Sequence, residues 1–182
     1  MVWNKLTSIG RSHCCALHLF ALCGMILSLA SCHISYKFTG ASIDYDRVKT
    51  LSITEFVNQA PLVYPPLSQS FTEALRDIFR RQTRLEQIAQ AGDFSIEGAI
   101  VGYDLTPVAV QEDAFASMTR FTMTVSVHFE NNADPDKNFD RTFSAYTEFD
   151  SSSLFSQVQD DLVRQLTDDI TKQIFNATAE DW

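Results

Sequence analysis

SMTRFTMTVSVHFEN, residues 117–131, decides the fold. Phe121, Met123, Val125, Val127 and Phe129 lie on one side of an extended chain, and Arg120, Thr122, Thr124, Ser126 and His128 lie on the other. Alternation at period two marks a strand that buries one face and leaves the other in water. Downstream, NNADPDKN (131–138) is rich in the residues that tight turns favour. Phe139, Phe143, Ala145 and Phe149 then line a third strand, antiparallel to the preceding one by hairpin logic. Upstream, Phe94, Ile96, Gly98 and Ile100 alternate with Ser95, Glu97, Ala99 and Val101, in a run that ends near Pro107.

Two helices flank these strands. Ser70 and Glu73 have the spacing of a capping box, so the first helix is expected to begin near Ser70, or a turn earlier at Ser68. Phe71, Leu75, Ile78, Phe79 and Leu85 recur at helical spacing on one face, and Gly92–Asp93 supplies a break. In the second helix Leu154, Val158, Leu162, Leu166, Ile170 and Ile174 form a stripe at steps of four, with Ser152 or Ser153 as a plausible N-cap. Asp160, Asp161, Asp168 and Asp169 lie largely off that stripe and read as a solvated face.

The N-terminal part reads as extended chain. Ile34, Tyr36 and Phe38 alternate with polar residues, Gly40 marks a bend or bulge, and Val48, Leu51 and Ile53 resume a β-rich composition. APLVYPP, residues 60–66, holds three prolines and reads as a linker, because proline excludes a regular helix or a central strand. The resulting order is strand, helix, strand, strand, strand, helix. Two amphipathic helices and a sheet with one apolar face bury one another as an α+β two-layer sandwich, with both helices on one face of a roughly four-stranded mixed sheet.

The first 31 residues read differently. Lys5 and Arg11 are their only charges, and an apolar run follows from about Ala16 to Ala30. A basic start, a short apolar middle and small residues before a cut make a secretory signal. The run is short for a bilayer span, which needs about 20 residues. Leu29, Ala30, Ser31, Cys32 resembles the bacterial lipobox, in which the cysteine thiol receives a diacylglyceryl group and becomes the first residue after cleavage. Its competitor is an ordinary secretory signal with a chance cysteine. The expected division is a signal over residues 1–31 and one domain over 32–182, anchored by lipid at Cys32.

All four cysteines lie at or before Cys32, so the rest of the chain has no thiol for a disulfide, a metal site or nucleophilic catalysis. Removing Lys5 and Arg11 leaves 12 basic residues against 23 acidic, a formal net charge of −11. That balance argues against a nucleic-acid partner. It also disfavours adsorption to anionic head groups, so membrane attachment is expected from lipid alone.

Little in the sequence suggests catalysis. His33 sits beside the anchor position, and His128 sits on the polar side of a strand. No nucleophile elbow, phosphate loop or metal-binding histidine pair is present, so neither an enzymatic activity nor a cofactor is expected. Asp44 with Asp46, and Asp134 with Asp136, read as turn or edge residues. Arg76, Arg80, Arg81 and Arg84 gather positive charge against the overall acidity. They read either as contacts to phosphates or to a partner's acids, or as an exposed helix face balanced by Glu73, Asp77 and Glu86. Tyr36, Phe38 and Tyr64 are candidates for an exposed partner surface.

Several segments together resemble the LptE family of lipopolysaccharide-assembly lipoproteins, in its Bacteroidetes form. They are YKFTGASI, VKTLSI, NQAPLVYPPLSQSFTEALRDIF, GDFSIEGAIVGYDLTPVAV, RFTMTVSVHFEN and FDSSSLFSQVQDDLVRQLTDDI, in that order. The resemblance implies two helices packed on a four-stranded sheet. It implies an outer-membrane lipoprotein facing the periplasm, which plugs and helps assemble the LptD β-barrel that places lipopolysaccharide in the outer leaflet. It implies no catalysis, and lipopolysaccharide as a further possible ligand. Of site residues, only Cys32 carries over. His33 to Tyr36 lack the acidic cluster associated with surface export, which fits a periplasm-facing position. The competing expectation is a membrane-tethered periplasmic lipid carrier, which needs an apolar cavity between helices and sheet.

Overall fold

In the computed structural model, residues 43–62, 64–108 and 117–179 are described. The elements are β1 (Thr50–Ile53), β2 (Val57–Asn58), α1 (Leu67–Gln82), β3 (Glu86–Ile88), β4 (Phe94–Val108), β5 (Met118–Asn131), β6 (Phe139–Asp150) and α2 (Phe155–Ala179). A 3-10 turn at Pro135–Lys137 joins β5 to β6. The strand order is β3-β1-β4-β5-β6, and β2 also pairs with β4. β1 is parallel to both β3 and β4, whereas β4, β5 and β6 are antiparallel. The sheet is therefore mixed, as expected, but has six strands where the sequence suggested about four.

The two extra strands are β2 and β3, of two and three residues. A period of two has no room to show itself in so short a run. β2 continues β1's path along β4 after an interruption at Thr54–Phe56: the Thr54 N–H bonds to the Ile96 carbonyl at 3.0 Å, and the Gln59 N–H bonds to the Ile100 carbonyl at 2.8 Å. At that interruption Phe56 turns inward and is fully buried. Its N–H is satisfied by Thr72 Oγ1 of α1 at 3.0 Å.

β5 behaves as its sequence requires. Phe121, Met123, Val125, Val127 and Phe129 are all buried. β4 holds a surprise. Its register against β5 shifts between Ile100 and Gly102, leaving Val101 as an extra residue. A β-bulge of this kind reverses which side chains face inward. Phe94, Ile96 and Ile100 point to the core before it, and Tyr103, opposite Met123, is buried after it. Unbroken alternation would have put Asp104 inside and Tyr103 outside.

Both helices pack on the apolar face of the sheet, with their buried residues in one hydrophobic cluster. α1 buries Phe71, Leu75 and Phe79, and the Phe79 ring meets Phe175 of α2 at 5.1 Å. The ends of α1 differ from expectation. It starts at Leu67 after Pro66, with no side-chain cap. Ser70 Oγ instead bonds within the first turn to the Leu67 carbonyl, and Ser68 Oγ accepts the Asn58 N–H. The helix stops at Gln82, well short of Gly92: extended Thr83 terminates it, both Thr83 N–H and Oγ1 bonding the Phe79 carbonyl. Leu85 and Arg84 are therefore outside the helix, although Leu85 is still buried.

α2 starts at Phe155, one residue later than capping by Ser153 would place it. Its expected stripe holds only in the C-terminal half. Steps of four advance about 40° around a helix with 100° per residue, so Leu154 and Ile174 differ by about 200°. Leu154 is accordingly exposed, and the buried face is Val163, Leu166, Thr167, Ile170, Thr171, Ile174 and Phe175.

Gly92–Asp93 does not end the helix; it forms the turn between β3 and β4, with a division of labour. The positive φ, 58°, falls on Ala91. Gly92 is needed for close approach, since a Cβ there would meet Ser52 N and the Phe94 carbonyl oxygen at 2.6 Å each. Asp93 Oδ2 accepts the N–H groups of Lys49 and Thr50 and the Thr50 hydroxyl, at 2.8–2.9 Å. These bonds, led by the Lys49 N–H, hold its carboxyl below the ordinary carboxylate value.

Gly98 provides a test of the packing. A Cβ added there would collide with the Ser126 carbonyl oxygen and approach the buried Phe56 ring at 2.7 Å. Gly98→Ala is expected to destabilise the fold by about 1–3 kcal/mol, the usual penalty for overpacking. Urea unfolding monitored by circular dichroism measures it, and an unchanged midpoint would show that Phe56 does not sit where described.

Candidate functional site

The outer face of the sheet is built by the side chains that β4, β5 and β6 turn away from the helices. The β5–β6 register sets Thr122 against Tyr146, Thr124 against Ser144 and Ser126 against Thr142. With the Tyr146 ring at one side, the short Thr and Ser side chains make a hydroxyl-rich centre, in which Thr124 Oγ1 and Ser144 Oγ lie 3.2 Å apart. Val57 and Val101 border it and are exposed.

Charged groups occupy the two ends of this face. At one end Arg120 of β5 donates through Nε and Nη2 to Glu148 Oε1 of β6, at 3.1 and 2.8 Å, and its guanidinium lies 4.3 Å from the Tyr146 ring centre. At the other, His128 Nδ1 is 2.7 Å from Asp140 Oδ1 and Nε2 is 3.2 Å from Glu130 Oε1. Glu97 of β4 is the residue paired with His128 on the third strand. Two carboxylates facing both ring nitrogens favour the imidazolium, and the Asp140 hydrogen bond is the main cause of its raised pKa. Reading the polar face residue by residue missed this cluster. Asp140 is twelve positions from His128, and only the hairpin register, which also fixes Arg120 opposite Glu148, brings them together.

The arginines expected to form one row are dispersed. Arg76 is a structural tie: its Nη2 donates to the Ile53 carbonyl at 2.9 Å and its Nη1 to Glu73 at 3.2 Å. Its own carbonyl accepts Gln87 Nε2 of β3, so it joins α1 to the parallel edge of the sheet. Arg80 and Arg81 share Asp77, at 2.6 and 3.9 Å, and are exposed. Arg84, beyond the helix end, lies 5.9 Å from the Tyr45 ring centre. Three of the four are thus balanced by the acids of their own helix.

Tyr64 is not a free partner surface either. Its hydroxyl donates to Asp160 Oδ1 of α2 at 2.5 Å, and its ring stacks on Tyr103 with 6.3 Å between centres. The bond to Asp160 pushes its pKa up to about 12. Tyr103 in turn accepts Gln159 Nε2 at 2.6 Å. The linker around Tyr64 is thereby pinned to the start of α2. Asp44 and Asp46 serve a turn, with the Asp46 N–H on Asp44 Oδ1, while Asp134 precedes the 3-10 turn and Asp136 lies within it. Cys32, His33, Tyr36 and Phe38 lie outside the described residues.

A groove of about 550 Å³ opens where the segment 43–48, the β5–β6 turn and the end of α2 meet. Charged residues line much of it: Asp44, Arg47, Asp134, Asp136, Lys137 and Arg141. Arg47 Nη2 bonds the Ala133 carbonyl, closing one side. Between helices and sheet the space is taken by Phe71, Phe79, Phe121 and Phe175, all fully buried or nearly so. Among the described residues no helix is long and apolar enough to cross a membrane.

The model of the LptE family, described as lipopolysaccharide-assembly, matches residues 48–178. Among solved structures, the chain is similar to rare lipoprotein B from Shewanella oneidensis, at 9% identity over 71% of this chain and 92% of that one, with TM-score 0.52. A Xanthomonas campestris protein matches at 12% identity over 73% and 86%, with TM-score 0.53. A minor lipoprotein from Acinetobacter baumannii matches at 16% identity over 71% and 91%, with TM-score 0.45. The first two likenesses establish the shared fold. A search of curated protein sequences returned no match.

His128 gives the site a titration test. Its folded pKa lies above the ordinary 6.5, so the stability it contributes is fully present below about pH 6.5 and is lost as pH rises through the folded value. The imidazole proton resonances should titrate with a midpoint above 6.5, and Asp140→Asn should move that midpoint down. A midpoint unaffected by Asp140→Asn would contradict the geometry.

Proposed function

The chain belongs to the LptE family of lipopolysaccharide-assembly proteins, and we propose that it is the lipoprotein half of an outer-membrane lipopolysaccharide translocon. In this reading it is tethered at Cys32, faces the periplasm, and sits as a non-catalytic plug within an LptD-type β-barrel whose assembly it assists. The observation that carries the reading is the family match over residues 48–178, which spans the sheet and nearly all of both helices.

The surface chemistry supports it. The lumen of a large outer-membrane barrel is polar. A plug therefore needs a filled core and a polar exterior, and this domain has both. The hydroxyl-rich outer face offers donors and acceptors, while Arg120–Glu148 and His128–Asp140 pair its two cations with carboxylates. A tethered lipid carrier is the weaker alternative, because rings fill the space between the layers. Stable attachment through Cys32 requires more than one acyl chain, as a single chain binds only marginally.

Co-purification tests the proposal. A tag after Trp182 and mild detergent extraction of outer membranes should bring down a stoichiometric large β-barrel. Cys32→Ala should abolish incorporation of labelled fatty acid. Recovery of the folded lipoprotein without any barrel would contradict the plug reading, and fatty-acid labelling that survives Cys32→Ala would contradict the anchor.

A further inference from the structure

The two edges of the sheet are managed differently. One edge is β3, three residues long and bordered by Arg76 and its Gln87 contact. The other is β6, which runs twelve residues without proline, and its register against β5 is continuous from Met118↔Asp150 to Phe129↔Phe139. Among the described residues no strand pairs with its far side. From α2, Gln173 Nε2 reaches to 3.4 Å from the Ser144 carbonyl oxygen.

Sheet edges present rows of unpaired N–H and C=O groups, and folded proteins usually blunt them with brevity, proline, bulges or charge. β6 uses charge only toward its ends, at Asp140, Arg141, Glu148 and Asp150; its middle, Thr142–Thr147 (TFSAYT), carries none. Thr142, Ser144 and Tyr146 are exposed there. A row of backbone donors and acceptors recognises one ligand chemistry above others, an extended polypeptide.

We propose that the middle of β6 is a strand-addition site, occupied by an extended segment of the barrel partner. This rests on the translocon reading above. A second copy of this chain is disfavoured in the two registers that overlap β6 most fully. Antiparallel self-pairing centred on Ser144 would set Asp140 against Glu148, and centred on Ala145 would set Asp140 against Asp150. Like charges directly opposite one another oppose pairing. The same acids define the partner's chemistry: a neutral centre of small or hydroxyl-bearing residues, with basic residues toward the ends. On the inner side the added strand would lie beside Phe143, Ala145 and Thr147, extending the apolar face by one strand.

Hydrogen exchange on the purified complex of the full lipoprotein with its barrel tests this. Backbone amides within Thr142–Thr147 that exchange quickly in the free protein should slow by about tenfold or more in the complex. Two paired variants separate edge from face. Thr142→Lys with Ser144→Lys, placing charge on the edge, should weaken barrel binding about tenfold or more while leaving the thermal midpoint of the free protein nearly unchanged. Thr122→Lys with Ser126→Lys, on the same face but one strand inward, should weaken binding less than the edge pair and leave Thr142–Thr147 protected in the complex. A complex that forms without added protection at 142–147, or that the inward pair weakens as much as the edge pair, overturns strand addition and leaves the translocon reading standing. Failure of the wild-type proteins to form any complex overturns both.

Discussion

The pairing of β5 with a neighbour on each side is the constraint on which the rest depends. β4 and β5 are matched from Phe94↔Asn131 to Val108↔Met118, and β5 and β6 over twelve consecutive pairs. Because side chains alternate, that double register decides at once what enters the core and what reaches solvent. It brings Phe121, Met123, Val125, Val127 and Phe129 under the helices, and it aligns Arg120 with Glu148 and His128 with Asp140 on the other side. The single bulge at Val101 retunes the pattern locally. Without it Tyr103 would leave its place against Phe121, 4.7 Å away, and the stack with Tyr64 that holds the linker would be lost.

The two faces then divide the work. The inner face is a solid of rings. Phe94, Phe129 and Phe139 meet at one end, Phe79 and Phe175 in the helix layer, and Tyr103, Phe121, Phe149 and Phe155 at the other end. Close packing of this kind leaves little room for a lipid between the layers. The outer face is polar, with its two cations, Arg120 and His128, held by carboxylates. A domain with these properties is suited to being enclosed by another protein rather than to enclosing a ligand. The strong negative charge of the chain fits the same role, since it disfavours loose adsorption to anionic head groups.

Much of this was legible in the sequence. Long elements with regular spacing announced themselves: β5 from strict alternation, β6 and its turn from the hairpin composition, and the apolar faces of both helices. What escaped was set by tertiary contacts. β2 and β3 are too short to carry a period. The bulge at Val101 exists because Tyr103 belongs in the core, and nothing local to Ile100–Gly102 declares it. Ser70 and Glu73 have capping-box spacing, but Pro65 and Pro66 start the helix a turn earlier and leave them inside it. Arg76, Arg80, Arg81 and Arg84 looked like one patch because helical spacing was extended past Gln82; the chain leaves the helix at Thr83, and Arg76 is drawn to the Ile53 carbonyl. His128 does lie on the polar side of its strand, but the two carboxylates that hold it come into view only with the fold. Cys32 lies outside the described residues, and its role rests on the lipobox pattern.

Depletion in the cell tests the central claim most directly. Expression is shut off, and lipopolysaccharide exposed at the cell surface is measured together with the amount of correctly folded barrel partner. The account predicts that both fall together, before general membrane damage, and that re-expression of the wild-type chain restores both. Normal surface lipopolysaccharide and a normally folded barrel after complete depletion would contradict it.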